Sequence, residues 1–214
     1  MSFKSAAATA SLLTMLAAVP AQAGVIFSDN FNADNASSAL NFNGLINWTV
    51  SGGTIDYIRS GGFGISCAGG AGGCLDMDGS TGNAGRITSR QTFSFSSGVD
   101  YAIDLALSGN QRGGASDSVI FGLVNSATLV ELSFTTGPLA PSDPFSTITG
   151  GFQGGAAPGT WRLFVEGVGG DNIGAILDDF VLRDNRAAAV PEPATLLLSG
   201  LALLAAGAAR RRSR

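Results

Sequence analysis

From Gly24 to about Arg183 the apolar positions recur every second residue, not every third or fourth. "TIDYI" sets Ile55 and Tyr57 on one face, and "QTFSFSS" does the same for Phe93 and Phe95. "YAIDLALS" alternates Tyr101, Ile103, Leu105 and Leu107; "LVELSFT" alternates Val130, Leu132 and Phe134; "WRLFVEG" alternates Trp161, Leu163 and Val165. Side chains of a strand alternate between its faces, so these segments predict half-buried antiparallel strands. "VIFSDNF", "SVIFGLV" and "AILDDFVL" predict further strands, the second of them buried on both faces. Gly-rich punctuation such as "RSGGFG", "SGNQRGGASD" and "TGGFQGGAAPG" separates the runs. No helical apolar stripe of useful length interrupts them. About nine to eleven short strands predict an all-β, two-sheet antiparallel sandwich of the jelly-roll type over residues 24–186.

The two ends break this pattern. Lys4, the apolar run "AAATASLLTMLAAV" and the Ala21-Gln22-Ala23 triplet have the order of a cleavable signal helix, so residues 1–23 are expected to direct export. At the other end, "PEPATLLLSGLALLAAGAARRRSR" carries an apolar run from Ala194 to Ala209 between two prolines and a cluster of arginines. Sixteen residues rise about 24 Å as a helix, somewhat less than the roughly 30 Å hydrocarbon core of a bilayer. Snorkelling arginines and local thinning close such a gap, so a single transmembrane helix is expected there. Arg210 to Arg214 would stay on the cytoplasmic side of the inner membrane. Pro191 and Pro193 prevent the helix from continuing outward, and the segment they bracket is extended.

Charge changes the picture in one respect. The whole chain has a formal net charge of −4, but between Gly24 and Arg186 seven basic residues face fifteen acidic ones, a net −8. With no basic stripe in the body, a nucleic-acid partner is excluded. Histidine is absent, which removes Ser-His-Asp and Cys-His catalysis and every His-based metal site. A glycosidase needs only two carboxylates, and it remains an alternative on that ground alone. The body holds just two glutamates, Glu131 and Glu166, and the expectation is a protein without catalytic activity.

Cys67 and Cys74 flank "AGGAGG". An exported chain meets an oxidising compartment, and this flexible spacer lets the pair satisfy disulfide geometry. Asp76 and Asp78 in "LDMDGSTGN" offer oxygens in a Gly-containing turn, which suits a structural calcium or equally a solvated Asp-Gly turn. Asp179, and Asp29 from the first strand, form a second candidate calcium pair, because first and last strands are often neighbours in such sandwiches. Of Asp178 and Asp179, one is expected to point inward and the other outward. Sugar binding calls for exposed aromatic and amide groups. Trp48, Tyr57 and Trp161 sit in or beside apolar strands, where core packing is the default. Phe152 with Gln153 in "GGFQGG" reads as a loop tip, so Phe152, Gln153 and Trp48 are the candidate ligand contacts.

The tail resembles a PEP-CTERM sorting signal, from motif (Pro191, Glu192, Pro193) through transmembrane stretch to terminal arginines, over residues 187–214. The resemblance implies an exosortase as processing partner, in Gram-negative bacteria that make exopolysaccharide. It implies transient inner-membrane anchoring, cleavage near the motif, and release to the cell surface or extracellular matrix. The closing "GAILDDFVL" is similar to the last strand of galactose-binding-like and carbohydrate-binding jelly rolls, which adds an extracellular polysaccharide as an alternative partner. Beyond calcium, no cofactor is implied.

Overall fold

The computed structural model describes residues 24–185. The expected signal segment (1–23) and the tail from residue 186 onward, with Pro191, Glu192, Pro193 and the apolar run, lie outside them. Eleven strands form: β1 (Gly24–Asp29), β2 (Trp48–Ser51), β3 (Asp56–Arg59), β4 (Gly73–Asp76), β5 (Arg86–Ser89), β6 (Asp100–Ser108), β7 (Ser118–Asn125), β8 (Glu131–Thr135), β9 (Ser146–Gln153), β10 (Trp161–Val168) and β11 (Ile176–Asp184). Three single turns of 3₁₀ helix are the helical content of this region, and among the described residues no helix is long and apolar enough to cross a membrane.

Two antiparallel sheets result. One has the order β3-β4-β11-β6-β9, with β1 also paired to β11; the other has the order β2-β5-β10-β7-β8. Their inner faces supply one core, in which Trp48, Tyr57, Ile103, Leu105, Phe121, Leu163, Val165 and Phe180 are buried. The alternating residues of "YAIDLALS" and "WRLFVEG" all point inward, as the period-two pattern requires.

Three local expectations change. "QTFSFSS" forms no strand: Phe93 makes an isolated bridge with Trp161, and Phe95 packs edge-on against Tyr101 and Phe152. Its apolar alternation serves a loop that closes one end of the core. β7 is fully buried on its inner face, while Ile120 and Val124 on the outer face are half-buried. In β11 the register slips between Asp178 and Phe180, and Asp179 takes φ 40°. The extra residue resets the alternation, so Leu177 and Phe180 both reach the core although they are three apart. Neither aspartate therefore points inward. Asp179 is exposed, and Asp178 is covered from outside by the 60–72 segment, whose Ala68 N–H it accepts at 3.0 Å.

Candidate functional site

The outer face of the five-stranded sheet is built by register. Thr49, Thr88, Phe164, Gly122 and Ser133 lie side by side across it, and Arg86, Glu166 and Ile120 form the next row. Phe164 is outward-facing yet fully buried, because the Arg86 guanidinium carbon lies 3.8 Å above its ring centroid. From there Arg86 reaches Glu131 at 2.7 Å and Glu166 at 2.9 Å. Gly122 sits in this row because an added side chain would run into the Leu132 carbonyl of β8. The outcome is an open trough of about 440 Å³ lined by Arg86, Thr88, Val124, Leu129, Glu131 and Arg162. Glu131 and Glu166 belong to different strands, β8 and β10, and only β7, lying between them, brings them to the same cation. Arg86 fills the space between the two carboxylates, where a scissile glycosidic oxygen would have to stand.

The aromatic candidates are elsewhere. Trp48 is fully buried among Phe27, Phe31 and Phe180, with its Nε1–H donated to Asp29 Oδ2 at 2.8 Å. It is a core residue, not a sugar platform. Phe152 lies in β9 rather than at a loop tip, and its ring stacks inward on Tyr101 at 5.4 Å. Its neighbour Gln153 does face outward, beside a hollow in the six-stranded sheet formed where Ala102 and Gly151 are small. On that face Arg183 pairs with Asp104 at 2.5 Å, and Thr149 donates to the same carboxylate at 2.6 Å. Burial raises the Asp104 pKa, but these hydrogen bonds and the Arg183 charge outweigh it and hold the carboxyl below its ordinary value.

Asp29 and Asp179 line one shallow hollow of about 280 Å³ along β1 and β11. Asp29 is already engaged by Trp48, by Asn47 Nδ2 at 3.0 Å and by the Phe31 N–H at 2.9 Å. Cys67 and Cys74 are joined as a disulfide. Asp178 stands beside it, and burial pushes its carboxyl up to about 6.

Asp76 and Asp78 do not form a solvated turn. Asp76 is fully buried; its Oδ1 accepts the N–H groups of Asp78 and Gly174, and its Oδ2 pairs with Arg112. Burial pushes the Asp76 carboxyl up to about 7 against the pull of Arg112. Asp78 Oδ2 accepts the Asp171 N–H at 3.0 Å, while its buried Oδ1 has no hydrogen-bond partner. Asp117 also faces this corner, with Oδ2 held by Asn110 Nδ2 at 3.1 Å. Its pKa is raised by burial, eased by Asn110, and raised again by the charges of Asp171 and Asp78. Arg112, Asp117 and Asp171 were missed in the sequence, where they look like ordinary members of polar, Gly-rich loops.

Residues 189–212 match the PEP-CTERM protein-sorting motif. No curated protein matches the chain in sequence. Among solved structures, the CBM22-1 xylan-binding domain from Paenibacillus barcinonensis Xyn10C is similar at 12% identity and TM-score 0.50, over 79% of this chain and 100% of that one. The CBM22-1–CBM22-2 tandem domain of the same protein is similar at 12% identity and TM-score 0.50, over 83% of this chain and 49% of that one. The CBM22-1–GH10 modules of the Clostridium thermocellum xylanase 10B give 16% identity and TM-score 0.47; this chain spans 28% of that length. At these identities the likeness is one of fold: a carbohydrate-binding-module-like β-sandwich.

Proposed function

We propose that this is an exported, exosortase-processed surface or matrix protein whose jelly-roll sandwich binds an extracellular polysaccharide and performs no catalysis. The sorting-motif match at residues 189–212 carries the first half of this reading. The trough on the five-stranded sheet supports the second. Sugar hydroxyls need both donors and acceptors held in place, and the ion-paired Arg86, Glu131 and Glu166, with Arg162 and Thr88 nearby, provide them on a rigid sheet. The xylan-binding domain that shares the fold suggests a β-linked polysaccharide as the ligand class. Binding is favoured over hydrolysis because a guanidinium occupies the space between the two glutamates.

The test is retention of the full chain, in detergent, on immobilised xylan, cellulose and bacterial exopolysaccharide, with wild type beside Arg162→Ala and Glu131→Ala. Loss of retention by about tenfold in both variants, with unchanged melting temperature, is expected; equal retention of all three proteins sinks the trough as the site. Measurable release of reducing sugar from any of these polymers overturns the non-catalytic part. The intact mass of the protein recovered outside the cells tests processing, and a form still ending in Arg210 to Arg214 refutes it.

A further inference from the structure

Asp78, Asp117 and Asp171 stand in three different crossovers between the sheets. Residues 77–85 lead from β4 to β5, residues 109–117 from β6 to β7, and residues 169–175 from β10 to β11. The ends of β4 and β6 both lie against Ile176 at the start of β11, and the end of β10 lies against Ser118 at the start of β7, so the three crossovers leave from one end of the sandwich. Asp78 and Asp117 are 1% and 5% exposed. Their carboxylates converge on Gly169, where an added Cβ would lie 2.8 Å from Asp78 Oδ2 and 3.4 Å from Asp117 Oδ1. The neighbouring Asp171 donates its backbone N–H to Asp78.

The charge here is only partly compensated. Arg112 is the cation that acts on Asp117, but it is bonded to Asp76, whose two oxygens are both engaged. Asp78 Oδ1 remains: an oxygen of a buried carboxylate that accepts nothing from the protein. Buried carboxylate oxygens are costly unless a donor or a cation meets them.

We propose that Asp78 and Asp117 hold a divalent cation of the calcium type that ties their crossovers together, with the exposed Asp171 at the rim acting on it by charge and not as a direct ligand. The donors are all hard oxygens, and calcium completes its shell from carboxylates, backbone carbonyls and water in irregular geometry, which a site made of loops supplies. Neither histidine nor free cysteine is present to favour a softer metal. Asp76 is not a ligand here; it orients Arg112 and the turn beneath the site. The cation site and the polysaccharide trough rest on separate residues, and one can fail without the other.

The experiment uses the full chain in detergent, stripped with EDTA, then titrated calorimetrically with calcium chloride and melted with and without 10 mM calcium. Sites on extracellular modules bind calcium with dissociation constants of about 10⁻⁴ to 10⁻³ M, so saturation is expected to raise the melting temperature by roughly 3–10 °C. Asp117→Asn and Asp78→Asn are expected to melt cooperatively without calcium and to lose that increment, whereas Asp143→Asn keeps it. Asp171→Asn is expected to weaken calcium binding several-fold without abolishing it. Absence of binding heat and of a shift in wild type overturns the proposal. So does an increment that survives in Asp117→Asn, or one that disappears in Asp29→Asn instead, which would move the ion to the β1–β11 hollow. If Asp78→Asn does not fold, Asp117→Asn decides alone.

Discussion

Replacing Trp48 by Phe separates a core tryptophan from a sugar platform. The substitution removes the Nε1–H that reaches Asp29 Oδ2 at 2.8 Å and shrinks a ring packed 5.0 Å from Phe180 and 5.7 Å from Phe27, centroid to centroid. Asp29 keeps the Asn47 and Phe31 donors, so its carboxylate is not stranded, and the lost hydrogen bond costs about 1–2 kcal/mol. The unfilled volume in a fully buried site adds about 1–2 kcal/mol. For a domain of this size the sum corresponds to a melting temperature lower by roughly 4–16 °C. The assay is thermal unfolding followed by fluorescence, for which Trp161, the other tryptophan of the chain, remains as the reporter. Polysaccharide retention measured well below the transition is expected to equal that of wild type. A melting temperature within about a degree of wild type, together with lost retention, would refute the core assignment and return Trp48 to the ligand.

Other outcomes follow from the same structure. Replacing Cys67 and Cys74 by serine removes a cross-link spanning a sequence separation of 7, and chain-entropy arguments put the cost at about 2–3 kcal/mol; a urea midpoint unchanged from wild type would contradict this. Stability in EDTA is expected to peak near about pH 4. The depressed Asp104 carboxyl contributes stability that is complete above its ordinary value of 3.8 and is lost as pH falls through the lower folded value. The elevated Asp76 and Asp178 carboxyls contribute stability that is complete below 3.8 and is lost as pH rises through about 7 and about 6, respectively. A melting temperature still climbing from pH 5 to pH 8 would show that these burials are mis-stated, and Asp104→Asn is expected to flatten only the acid limb.

The local grammar of the fold was legible in the chain. Alternation in "YAIDLALS" and "WRLFVEG" needs only the pleat to become strands with one buried face, and Cys67 and Cys74 are close enough in sequence to find each other. The sorting motif is likewise a linear signal, complete within residues 189–212. Where a residue's neighbours come from afar, the pattern was silent. Phe93 and Phe95 alternate like a strand, yet the segment meets β10 only through the single bridge from Phe93 to Trp161. Phe164 breaks the alternation of β10 and is buried all the same, because Arg86, from another strand, lies across it. The bulge at Asp179 falls where β11 changes from pairing with β4 to pairing with β1, a change of partner invisible in "LDDF".

The candidate sites belong wholly to this second class. Glu131 and Glu166 share Arg86 only through the order β5-β10-β7-β8, and Asp78, Asp117 and Asp171 meet only because three crossovers end at the same corner. Period-two burial specifies which face of a strand turns inward, an energetic preference each segment holds by itself. Which strands lie side by side depends on closing loops and matching surfaces across the whole chain, and it is that choice which places the charges together.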